Sequence, residues 1–166
     1  MDPKYLIDTN IWVDALGGAP EALEVIYNND DIAMSAINYM EVASGCTPSD
    51  LVMFDGMLSG DPDIAVIHTN ETIIKLASAF NQNAATGKGY GHKRLPDAII
   101  GATAAVTGRI ILTRNPSDFV GYPHVRVETP YQGQWVTSVG SDGKESKTWV
   151  PGAPLPPSAT ASSAAA

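Results

Sequence analysis

Five short apolar runs recur along the first part of the chain, and their shape constrains the fold more than any other feature. They lie at 3–7, 32–36 ("IAMSA"), 64–68 ("IAVIH"), 109–113 ("RIILT") and 125–128 ("VRVE"). They are short and rich in Ile and Val, and as a set they do not alternate cleanly between apolar and polar residues. A strand buried on both faces needs no alternation, so these runs read as strands of a sheet covered on both sides. Helical patterns separate them. Pro20 opens one, with Leu23, Ile26 and Tyr27 as its apolar stripe. Asn38 and Gly45 predict the caps of another. Segment 49–60 is a third, and 70–87 a fourth, with Ile73, Leu76, Ala77 and Phe80 on one face. Segment 96–108 starts on Pro96, ends on Gly108 and is apolar nearly all round, which predicts the most buried helix. Strands alternating with helices indicate an α/β fold, a mainly parallel sheet between two helical layers.

In such sheets the functional crevice lies beyond the carboxyl ends of the strands. Four acids fall at the start or end of an element that reaches this edge. Asp8 ends the first strand. Glu41 falls in the first turn of the helix after the second strand. Asp97 falls in the first turn of the most buried helix. Asp118 follows the fourth strand, in "LTRNPSDF". Each has a structural explanation when taken alone. Asn38 and Glu41 match a capping pattern. Asp97 is a first-turn acid favoured by the helix dipole. Asn115-Pro116-Ser117-Asp118 reads as cap, first helical residue and acid.

Taken together they imply more. Carboxylates ~5 Å apart repel by roughly 3 kcal/mol per pair at an effective dielectric near 20. A hard divalent cation bound by oxygens relieves that repulsion, and Mg²⁺ or Mn²⁺ suits an all-carboxylate set. His68, His92 and His124 are scattered, and Cys46 is the one cysteine, so no zinc set is present. The lone cysteine also favours a reducing compartment and hence a cytoplasmic protein. No run approaches the ~18 apolar residues of a membrane span.

The net charge of −8 divides into −11 over residues 1–87 and +3 over 88–166. An acidic body is a poor general nucleic-acid binder, but a local basic stretch still allows phosphate contact. "GKGYGHKR" (87–94) reads as a flexible basic loop. Lys88, Lys93, Arg94 and Arg114 are the cations nearest in sequence to the acids, and they are the expected phosphate contacts. Segment 49–60 carries Leu51, Val52, Phe54, Met57 and Leu58, enough apolar surface for a dimer or partner contact. After Pro130 the composition changes. "YQGQWVTSVGSDGKESKTW" predicts a hairpin around "SDGK", and "PGAPLPPSATASSAAA" is low-complexity sequence with nothing to bury. The expected organisation is one domain over 1–130 and a partly disordered extension over 131–166.

The segments "YLIDTNIWVDAL", "NYMEVASG", "LPDAIIGATA" and "ILTRNPSDF" resemble, in order and spacing, the signature segments of PIN-domain ribonucleases of the VapC toxin type. The closing "VRVETPY" is similar to that family as well. The resemblance implies an α/β/α sandwich and a metal-dependent endoribonuclease. It implies an RNA substrate, an inhibitory antitoxin and a homodimer. Asp8 and Asp97 match the principal metal-binding acids and Glu41 the second acid. Family members carry an acid where either Asn115 or Asp118 stands, so Asp118 becomes the fourth carboxylate and Asn115 a supporting ligand. Thr9, Asn10 and Thr113 match supporting polar positions. Glu41 or Asp118 would accept the proton of the attacking water. Two other readings compete. Haloacid-dehalogenase-type phosphatases also place an Asp after the first strand, in the pattern Asp-x-Asp. A non-catalytic PIN-like module would bind RNA or protein without cutting.

Overall fold

The computed structural model describes residues 4–61, 64–85 and 94–155. The chain divides into two compact units, Met1–Thr129 and Pro130–Ala166.

The first unit is built on a five-stranded parallel sheet. Its strands are β1 (Tyr5–Ile7), β2 (Ile32–Ser35), β3 (Ile64–Ile67), β4 (Ile110–Leu112) and β5 (Arg126–Glu128), in the order β3-β2-β1-β4-β5. Leu6 pairs in register with Ala33 and Ile111, and all three are fully buried against one helical layer. Ile7, next in the chain, points to the other face and is equally buried. Burial of both faces explains the unbroken apolar runs of β1, β2 and β4, whereas the edge strand β5 is partly exposed.

Among the described residues six α-helices flank the sheet: α1 (Thr9–Leu16), α2 (Pro20–Tyr27), α3 (Ala36–Gly45), α4 (Pro48–Gly60), α5 (Glu71–Ala85) and α6 (Leu95–Thr107). Each start has a local cause. Asn70 accepts from the Ile73 amide and caps α5. Thr47 and Asp50 close a reciprocal capping box on α4. Gly108, at φ +69°, ends α6 in the left-handed conformation that glycine adopts without strain. Six residues of α6 are fully buried, as its apolar character predicts.

Two expectations change in detail, and the exposed apolar surface expected of segment 49–60 is present. α3 begins on Ala36 rather than Asn38, because Ser35 is the cap and Asn38 completes its capping box. Glu41 therefore stands in the second turn. Tyr27 lies outside the buried stripe of α2, which consists of Ala22, Val25 and Ile26. α4 buries only Phe54 fully and leaves Val52 74% exposed.

The second unit contains the hairpin expected around Ser141–Lys144. Strands β6 (Gly133–Val139) and β7 (Glu145–Pro151) pair antiparallel, with Trp135 opposite Trp149. Their rings meet at 5.3 Å and 60°, and Gly133 leaves space for the Trp149 ring. Among the described residues, no helix is long and apolar enough to cross a membrane.

Candidate active site

The sheet order reverses between β1 and β4. Chain continuity runs outward from β1 through β2 to β3, then returns to β4 on the other side of β1. In open parallel sheets the crevice lies at such a switch point, beyond the carboxyl ends of the strands. Asp8 follows β1 and Thr113 follows β4, so both stand at its floor.

Asp8 is buried, at 7% exposure, and is saturated with donors. Its Oδ1 accepts from the Thr9 amide at 2.8 Å and from Asn38 Nδ2 at 3.3 Å. Its Oδ2 accepts from the Thr113 hydroxyl at 2.7 Å and from Asn10 Nδ2 at 2.9 Å. The bond to Thr9 caps α1, so Asp8 serves the helix as well as the crevice. Burial pushes the Asp8 carboxyl above its usual range. Thr113 and Thr9 pull it down, and Glu41 and Asp118 push it up again.

The supporting network is continuous. Thr113 Oγ1 also accepts from Asn10 Nδ2 and from the Asn115 amide. Thr9 donates its hydroxyl to Glu41 Oε2 at 2.5 Å and accepts from Asn38. Asn115 donates to Asp118 Oδ2 at 2.6 Å and accepts from Ser117. Asn115 does not cap the short 3₁₀ helix Pro116–Phe119 with its side chain, as the sequence suggested; its amide group is turned to Asp118.

Asp97 lies in the first turn of α6, half-buried at the crevice. Burial raises its carboxyl to about 6; Asp118, then Asp8, then Glu41 add to the rise, and Arg94 opposes it. Asp8 and Asp97 thus each lie within electrostatic reach of the other three acids expected from the sequence. Among the described residues, no three of them form a ready-made cation cage. Asp8, Glu41 and Asp118 accept from the donors just named, and the charge and the all-oxygen chemistry suit a hard divalent cation.

The basic residues fare differently. Arg94 stands at the cap of α6 beside the acids. Lys88 and Lys93 lie outside the described residues. Arg114 has a partner within the fold. Its guanidinium pairs with the buried Asp14 through Nε at 2.5 Å and Nη2 at 3.0 Å, so it holds α1 to the end of β4. Asn38, which sequence reasoning treated only as a cap, is fully buried and binds both Asp8 and Thr9.

The PIN-domain family model matches residues 5–121. The chain belongs to the PIN-domain family. Ribonuclease VapC19 of Mycobacterium tuberculosis is 31% identical over 134 residues, which cover 76% of this chain and 98% of that protein. A toxin–antitoxin complex from Klebsiella pneumoniae contains a chain 32% identical, with a TM-score of 0.61, covering 78% of this chain and 99% of that one. DNA-bound VapBC from Salmonella typhimurium matches with a TM-score of 0.64 over 76% of this chain and 97% of that one. At 22% identity it supports the fold of this PIN domain alone. Family membership removes the phosphatase alternative. Where that pattern needs a second acid, this PIN domain has Asn10, which donates to Asp8.

Proposed function

We propose that this PIN domain is a divalent-metal-dependent endoribonuclease, the toxin of a toxin–antitoxin pair. The observation that carries the reading is four carboxylates at the sheet edge, of which Asp8 and Asp97 each reach the other three, with the most buried one held by four donors. A non-catalytic binding module has no need of such a cluster. The relatives that carry the names ribonuclease and toxin–antitoxin complex cover nearly all of their own length with this chain.

In this reading Asp8, Asp97 and Asp118 hold Mg²⁺ or Mn²⁺. The ion, when bound, supplies Lewis acidity toward a phosphodiester and offsets the charge of the acids. Asn10, Asn38 and Thr113 fix the Asp8 carboxylate, and Asn115 fixes Asp118. Glu41, turned to Thr9 and partly exposed, accepts the proton of the attacking water; Asp118 is the other base within reach. Arg94, with Lys88 and Lys93 of the preceding sequence, guides RNA phosphates past an otherwise acidic body.

The antitoxin covers a groove of about 280 Å³ between α1, α3 and α4, lined by Val13, Leu16 and Val42 and flanked by Glu41 and Asp50. Its apolar floor and acidic flank suit a segment with both apolar and cationic side chains. The exposed Val52 and Met53 of α4 provide surface for a homodimer. A clean monomer by light scattering at micromolar concentration removes the dimer from this reading.

Cleavage of total RNA by wild type and Asp97→Asn, each with chelator and with Mn²⁺, tests the whole. Only the wild type with Mn²⁺ should cut, and Asp97→Asn should lose at least ~100-fold. Equal activity in all four tubes sinks the metal-site reading.

A further inference from the structure

Three of the four crevice carboxylates have hydrogen-bond donors and one has none. Asp8 accepts from Thr9, Asn10, Asn38 and Thr113, Glu41 from Thr9, and Asp118 from Asn115. Asp97 accepts from no donor among the described residues. A ligating carboxylate whose second oxygen is left without a donor is free to turn, and metal sites ordinarily fix it with a hydrogen bond from the surrounding side chains.

A second unpaired group faces the same place. The Tyr122 hydroxyl is buried without a partner among the described residues, in a residue only 7% exposed. Its ring is clamped. It stacks on Phe80 with centroids 4.8 Å apart and planes 7° from parallel, and it meets Phe119 edge-on at 6.5 Å. It lies over Gly101 so closely that a Cβ there would stand 2.8 Å from Tyr122 Cδ2. Gly101 follows Asp97 by four residues on α6, so the ring rests on the helix face that carries Asp97. Burial is the main influence on the hydroxyl; the charges acting on it are Asp97 first, then Arg94 and Asp118, all at the crevice. A buried hydroxyl without a partner costs stability, so its retention calls for a use.

We propose that Tyr122 is a positioning residue whose hydroxyl donates to Asp97 when that carboxylate engages a metal ion. The inference rests on the ribonuclease reading above. Tyr122 then does for Asp97 what Thr113 and Asn10 do for Asp8 and Asn115 does for Asp118. Because Phe80, Phe119 and Gly101 fix the ring, the carboxylate is the partner that moves. Tyr122 touches neither RNA nor the reacting phosphate, and it acts through Asp97 alone.

Tyr122→Phe tests this, since it keeps the ring contacts and removes one oxygen. Without metal, its melting temperature should equal or exceed that of the wild type. The Mn²⁺ concentration giving half-maximal thermal stabilisation should rise at least ~10-fold. In an Asp97→Asn background, Tyr122→Phe should not change the thermal shift produced by a fixed Mn²⁺ concentration. An unchanged Mn²⁺ midpoint in Tyr122→Phe overturns the inference. So does a loss of equal size with and without Asp97. A wild type that neither cuts RNA nor responds to Mn²⁺ overturns the ribonuclease reading, and the inference falls with it. A responsive wild type matched by Tyr122→Phe overturns the inference alone.

Discussion

Thr113 donates its hydroxyl to Asp8 across 2.7 Å and so ties the end of β4 to the end of β1 at the crevice floor. The same oxygen accepts from Asn10 and from the Asn115 amide, which makes it the meeting point of three elements. Thr113→Val keeps the side-chain shape and removes all three bonds. Loss of a buried bond to a charged group costs about 1–3 kcal/mol. RNA cleavage should fall ~10-fold or more, because the Asp8 carboxylate is no longer fixed. Thr113→Ser should retain most of both. Urea denaturation and a cleavage assay of the two variants decide it, and Thr113→Val with wild-type stability would remove the network from the argument.

Asp97 gives a pH-dependent prediction. Its carboxyl ionises near 6 in the folded chain, against 3.8 for the ordinary group. The unfolded chain therefore releases this proton more readily. Below the ordinary value both states are protonated and the group has no effect. As pH rises from about 4 through about 6 the folded state loses stability, and the loss persists at higher pH. Metal-free Asp97→Asn should lose less than wild type between about pH 4.5 and about pH 7.5, and should melt at the same or a higher temperature at neutral pH. With Mn²⁺ the order should reverse. A steeper pH dependence in Asp97→Asn contradicts the buried-acid account.

How far the sequence carried this result depends on how local the relevant physics is. The strands were legible because Leu6 and Ile7, adjacent and both fully buried, leave an unbroken apolar run. Asp8 was legible because a carboxylate ending such a run needs a partner. The start of α3 was misplaced because Ser35 belongs to β2 and caps α3 at once, and Asn38 resembles a cap in isolation. Asn38's contact with Asp8 joins residues 30 apart and leaves no mark on spacing. Tyr122 in "VGYPH" looks like an ordinary loop aromatic until its hydroxyl is found buried without a partner among the described residues.

Arg114 and Arg94 should separate cleanly under mutation. Arg114 and Asp14 lie 100 positions apart, so no sequence pattern pairs them. Arg114→Ala takes the guanidinium away from the buried Asp14 carboxylate and should lower stability. The salt dependence of RNA binding should not change. Lys93→Ala with Arg94→Ala should do the opposite, flattening the salt slope by roughly one unit per lost phosphate contact with little change in stability. Binding by a catalytically impaired protein across a salt series measures the slopes. A flattened slope in Arg114→Ala would return that residue to the RNA interface.

The hairpin unit should be dispensable to the stability of the first unit. The buried cluster between the sheet, α5 and α6 is made of residues from Leu6 to Tyr122, with Val125 and Val127 packed against it. β5 completes the sheet at Glu128. Every one of these residues precedes Pro130, so a chain ending there keeps its core and its full sheet register. The hairpin itself has two strands, and an isolated two-stranded hairpin is marginal in water. It draws on the Trp135–Trp149 pair and on Tyr131 meeting Trp149 at 5.9 Å. Truncation after Pro130 should shift the melting temperature by less than a few degrees, roughly the effect of a change under 1 kcal/mol in a domain of this size. RNA cleavage by the truncated chain should match the full chain. A drop of about 10 °C would mean instead that the hairpin completes the fold of the first unit.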